Sequence, residues 1–100
     1  MVKHVVMWRI KDLDEGYDTK SATWKMKEKL ESMIGKIPSL TSLQVGINEN
    51  ESPEAYHVCL ITEHPTWEDL KAYQVNPIHQ EVGAFVKEIS KVRAVVDFEF

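Results

Sequence analysis

The 100-residue sequence holds a single cysteine, Cys59, which excludes an internal disulfide and any cysteine-based metal cluster. Cys59 itself reads as a small core hydrophobe in a strand. No apolar run approaches the ~20 residues that a membrane-spanning helix needs. The start Met1-Val2-Lys3-His4 enters a strand pattern directly, without the hydrophobic segment of a signal peptide. The expectation is therefore a cytoplasmic protein with no membrane partner. An excess of positive charge is also missing: 12 Lys and Arg against 16 Asp and Glu give a formal charge of -4. A phosphate backbone would be repelled on average, so nucleic acid is not expected as a partner. Low-complexity tracts, internal repeats and interdomain linkers are lacking, which leaves one domain over residues 1–100. There is no Gly-rich phosphate loop, no Gly-x-Ser-x-Gly and no His or carboxylate cluster at metal-ligand spacing, so neither a cofactor nor a metal is expected.

Alternation is what the sequence does have. Along Val2 to Ile10, Val2, His4, Val6, Trp8 and Ile10 fall on one face and Lys3, Val5, Met7 and Arg9 on the other, the period of a strand covered on both sides. Ala22, Met26, Leu30, Met33, Ile34 and Ile37 then recur as the stripe of an amphipathic helix. Gly35 and Pro38 supply its stop, predicting a helix from about Thr19 to Ile34. Thr41 to Ile47 and Ala55 to Glu63 read as a hairpin of two strands. Thr66 with Asp69 has the form of a capping box and opens a short helix holding Leu70 and Tyr73. Asn76-Pro77 breaks it and starts another, striped by Ile78, Val82, Phe85, Val86 and Ile89. Ala94 to Phe100 alternates as the last strand.

The order β-α-β-β-α-β predicts an α+β, ferredoxin-like fold, with helices on one face of a four-stranded antiparallel sheet. Val5, Met7, Cys59 and Ile61 would be bare on the other face, an apolar patch large enough to need a partner. A homodimer through the sheet faces satisfies it.

Two of the four histidines can meet in such a fold. His4 shares the helix-covered face with Val6 and Trp8, while Tyr73 and His79 bracket the Asn76-Pro77 break. A cluster of His4, Tyr73 and His79 lined by Val6, Trp8 and Leu60 has the form of a small-molecule site, apolar with a few convergent polar groups. There His79 can act as general base and Tyr73 as hydrogen-bond donor to a carbonyl oxygen gaining negative charge, with His4 orienting His79 or binding substrate. A second reading stays open, in which His79 and Tyr73 lock the kink by bonding loose backbone groups. His57 reads as a packing residue pointing toward the dimer interface, His64 as solvated in the turn before Pro65, and Asp97 and Glu99 as the wet face of an edge strand.

Several segments taken together carry a family resemblance: Val2-Lys3-His4-Val5-Val6-Met7-Trp8, Gly35-Lys36-Ile37-Pro38-Ser39-Leu40, Val45-Gly46-Ile47-Asn48, Tyr73-Gln74-Val75-Asn76-Pro77-Ile78-His79 and Val95-Val96-Asp97-Phe98. They cover nearly the whole chain, which resembles the stress-responsive A/B barrel (Dabb) domain family. The resemblance implies a dimeric α/β barrel. One plant member, olivetolic acid cyclase, closes a linear polyketide by an aldol step, and its catalytic tyrosine and histidine correspond to Tyr73 and His79, its strand-one histidine to His4. Other plant branches include a hydroxynitrile lyase and a boiling-stable oligomer. Asn76, where the family often has histidine, and His57, where aspartate is common, depart from the pattern. The function so implied is binding of, or cofactor-independent catalysis on, a carbonyl or polyketide-like ligand; the alternative is a non-catalytic stress-related homodimer.

Overall fold

The alternation in Val2–Ile10 becomes strand β1, with Val2, His4, Val6, Trp8 and Ile10 all buried on one face. The computed structural model describes residues 1–100. After β1 come α1 (Thr19–Glu31), β2 (Ser42–Ile47), β3 (Val58–His64), α2 (Trp67–Val75), α3 (Pro77–Ile89) and β4 (Ser90–Glu99). The four strands form one sheet in the order β2-β3-β1-β4, every neighbouring pair antiparallel. This is the ferredoxin-like arrangement that the order of elements predicts. Register sets the site in advance: His4 lies opposite Thr62 on one side and Asp97 on the other, and Val6 lies between Leu60 and Val95. Cross-strand partners share a face, so these side chains all project toward the helices.

Between helices and sheet lies one apolar core, in which Ile10, Met26 and Met33 expose no surface. Ile10→Ala removes three carbons from a site closed on all sides and is expected to cost about 2–5 kcal/mol, read as a lowered midpoint in urea with an unchanged slope.

Several boundaries differ from those that the sequence pattern predicts. The first helix stops at Glu31 and loosens into turns that carry Met33 and Ile37 inward but leave Ile34 about half exposed (55%). Gly35, at φ 78°, takes the left-handed turn that ends this segment. Strand β3 begins at Val58 rather than Ala55, and β4 begins at Ser90 rather than Ala94. The longer β4 brings Arg93 onto the sheet opposite Trp8.

At the second helical pair the capping follows the local sequence closely. The Thr66 hydroxyl accepts from the Asp69 amide at 3.1 Å, opening α2. Asn76 closes α2 with its backbone and opens α3 with its side chain, which accepts from the Ile78 amide at 2.9 Å beside Pro77 at the first position. The corner is therefore sharp, and residues just before and just after it come face to face.

On the far side of the sheet Val5, Cys59 and Ile61 are only half-buried, and Met7, Val96 and Phe98 are exposed. Val5 pairs with both Ile61 and Val96, so the patch runs across three strands.

Candidate functional site

Folding α2 onto α3 at Asn76-Pro77 sets the rings of Tyr73 and His79 4.4 Å apart, centroid to centroid, at 59°. His4 of β1 presents its edge to Tyr73 at 6.3 Å. His4, Tyr73 and His79 border a cavity of about 540 Å³ between α3 and the sheet, whose walls include Val6, Trp8, Leu60, Val82 and Val86. All six residues singled out from the sequence thus border one space. Lys87, Lys91 and Arg93, all exposed, border it where α3 meets β4.

The hydrogen bonds decide what each group can do. His79 Nδ1 lies 3.0 Å from the Gln74 carbonyl. A carbonyl only accepts, so Nδ1 carries the proton and Nε2 keeps its lone pair. Burial lowers the His79 pKa; the bond to Gln74 opposes that shift, and the charges of His4 and Arg93 reinforce it. Tyr73 exposes no surface, and its hydroxyl, buried, has no hydrogen-bond partner. Burial pushes that hydroxyl far above the ordinary tyrosine range, so it stays a proton donor at any working pH. The two expected ways of locking the kink therefore separate. His79 does bond a loose carbonyl at the end of α2, whereas Tyr73 bonds nothing.

His4 donates from Nδ1 to the carboxylate of Asp97, its cross-strand neighbour, and makes no hydrogen bond to His79. Asp97 is exposed on the edge strand β4, as its alternation predicts; what the pattern does not show is that its carboxylate fixes the ring of His4. Glu99, although exposed, accepts from Trp67 Nε1 at 2.5 Å. A correction concerns His64, which the turn before Pro65 marks as solvated. It is fully buried, donating from Nδ1 to the Ser39 carbonyl at 2.7 Å and accepting the Thr62 hydroxyl on Nε2 at 2.9 Å. Its ring packs 4.8 Å from that of Tyr73, on the side away from the cavity. The signal for it was the period of β3: Val58, Leu60, Thr62 and His64 are its buried set. His57 has a packing role, but its ring accepts from the Ile10 amide at 2.8 Å and so closes the end of β1 rather than pointing to the open face.

Three histidines with depressed pKa values set the pH dependence of stability. Burial is the main cause for His64, His79 and His57 alike. The unfolded chain takes up protons near the ordinary value of 6.5, while the folded chain resists them until lower pH. Below that value the unfolded state binds more protons, so stability present above pH 6.5 is lost as pH falls. Melting temperatures measured from pH 7.5 downward should hold steady and then drop; a flat profile to pH 5 would contradict these burial assignments.

The sequence and fold comparisons agree on the scaffold. No curated protein matches the chain. Among solved structures, a dimeric protein of unknown function with a ferredoxin-like fold from Bacteroides fragilis is similar at a TM-score of 0.84 and 29% identity, over 99% of this chain and 95% of that one. A dimeric ferredoxin-like protein of unknown function from Thermobifida fusca matches at a TM-score of 0.85 and 19% identity, over 99% and 90%. A hydroxynitrile lyase from Passiflora edulis shares the fold at a TM-score of 0.81 and 12% identity, over 97% and 90%. The stress responsive A/B barrel domain family model matches residues 2–100, and the chain belongs to that family.

Proposed function

We propose that the protein binds a small carbonyl compound in the cavity between α3 and the sheet, and that His79 and Tyr73 act on it without a cofactor. The observation that carries this reading is the Tyr73 hydroxyl. A buried donor with no partner costs about 1–3 kcal/mol, and here it belongs to a residue lining an apolar cavity, beside an imidazole with a free nitrogen. In the proposed step, His79 Nε2 removes a proton from the carbon next to the carbonyl. The electrons of that C–H bond form the enolate, and the charge arriving on oxygen is met by the Tyr73 O–H. Protonated His79 then returns the proton to the enolate carbon or, where that carbon has added to a second carbonyl group and its C=O π electrons have moved to oxygen, to the alkoxide so formed. Asp97 holds His4 at the edge of Tyr73, so the acceptor end has a fixed shape. Tyr73 is closed to water in this state, so its surroundings must open to admit a carbonyl group.

A thermal-shift screen of wild type and His79→Ala against aromatic and β-keto compounds tests the binding half. A ligand at 100 times its dissociation constant stabilises by about 2.7 kcal/mol, and the shift should vanish in the variant. Hits that persist in His79→Ala would put the ligand elsewhere.

The same reading includes a homodimer joined through the open sheet faces and closing into a barrel. Support comes from the apolar row Ile61, Val5, Val96 across three strands and from the dimeric state of the Bacteroides fragilis and Thermobifida fusca proteins.

A further inference from the structure

The charge lining the cavity runs against the charge of the chain. Acidic residues outnumber basic ones 16 to 12, yet every charged residue bordering the cavity is a cation: Lys87, Lys91 and Arg93. Lys91 is already occupied, bonded to Asp12 at 3.2 Å and Glu15 at 3.3 Å. Lys87 and Arg93 take part in none of the ion pairs of the structure. Arg93 shares its strand face with Asp97, four residues and about 13 Å away, and Asp97 marks the His4 end. The free cations therefore stand at one end of the cavity and the Tyr73–His79 pair at the other, with the apolar walls Val6, Val82 and Val86 between them.

We infer that the ligand carries a carboxylate at the end remote from its carbonyl, received at the cavity mouth by Arg93 and Lys87. The inference rests on the carbonyl-site reading above. A guanidinium presents parallel N–H groups that match a carboxylate, and a cleft of one sign with low-dielectric walls concentrates the opposite charge at its opening. Lys87 lies in the last turn of α3, where the helix end is partly negative. Two cations offset by that dipole suit a single negative charge better than a phosphate dianion. Arg93 is close enough to act on the inner end as well, since its charge contributes to holding His79 neutral. An oxo acid with an aromatic or alkyl span between its two groups fits this layout.

Calorimetric titration with γ-benzoylbutyrate and its methyl ester tests the assignment, because the two probes share the ketone and differ in the charge. Wild type should bind the acid about tenfold tighter than the ester. Arg93→Gln and Lys87→Gln, both at exposed positions, should each weaken the acid about three- to tenfold and leave the ester unchanged. The double variant should show no preference, and added salt should act on the acid alone. Equal affinities in wild type, or a preference that survives the double variant, would overturn the inference. Tyr73→Phe separates it from the reading beneath: both probes should weaken together if the carbonyl sits at Tyr73. Acid binding that needs Arg93 but ignores Tyr73→Phe would keep the anion subsite and discard the carbonyl site, whereas no binding of either probe at millimolar concentration would discard both.

Discussion

Tyr73→Phe is expected to make the protein more stable and less competent at once. The hydroxyl is buried and unpartnered, and phenylalanine has the same shape without it, so removing the group relieves a desolvation cost of about 1 kcal/mol. In a domain of this size that raises the melting temperature by about 4–8 °C. The ring packing against His64 and His79 at 4.8 and 4.4 Å is retained. On any ketone that the protein enolises, the same change removes a donor aimed at developing negative charge, a loss of about 10²–10³ in rate. Opposite signs for stability and activity mark a group kept for function. If the Tyr73 hydroxyl served to hold the corner between α2 and α3, Tyr73→Phe would lower the melting temperature or leave it unmoved, and calorimetry on the two proteins would show it.

Val96→Asp should turn a dimer into a monomer. Val96 is 59% exposed in the single chain and lies beside Val5 in the middle strand of the open face. In a sheet-to-sheet dimer each copy would carry the new carboxylate into the interface, where an unpaired charge costs several kcal/mol. At 1.4 kcal/mol per tenfold, association should weaken by at least about a hundredfold. Light scattering at micromolar concentration should then read about 11.6 kDa for the variant and twice that for wild type. Cys59 offers an independent reading, since it sits half-buried on the same face with its thiol pKa raised by burial. Alkylation should be slow in wild type and faster in the monomeric variant. A wild-type mass of one chain would remove the sheet-face dimer, whatever the variant does.

How far the sequence led depended on whether a side chain's surroundings were local. The face of β1 was legible because period-two alternation and burial coincide there, from Val2 to Ile10. The corner at Asn76-Pro77 was legible because its caps lie within two residues of one another. That is why the Tyr73 and His79 pair is legible in the sequence. What the pattern hid were partners fixed by register across strands. Asp97 is the exposed edge-strand residue that its alternation predicts, but its partner His4 follows only from the β1–β4 register. His64 follows the buried period of β3, but a histidine next to a proline turn suggests solvent, and only the Ser39 carbonyl and the Thr62 hydroxyl explain how it is satisfied inside. Ile34 differs for the reverse reason: the helical spacing of apolar residues continues past Glu31, where the helix itself ends. Arg93 escaped notice because the polar start of β4 does not alternate cleanly. Its importance arises from the cavity, to which β1, α1, β3, α2, α3 and β4 all contribute.

Hydrogen–deuterium exchange at the carbon next to a ketone is the most direct test, because it asks for the proposed step and needs no knowledge of the natural substrate. Propiophenone incubated with the protein in D₂O and followed by proton NMR should lose its α-proton signal faster than in buffer, with the acceleration abolished in both His79→Ala and Tyr73→Phe. Exchange no faster than in buffer, or acceleration that survives in both variants, would contradict the assignment of His79 as base and Tyr73 as oxyanion donor.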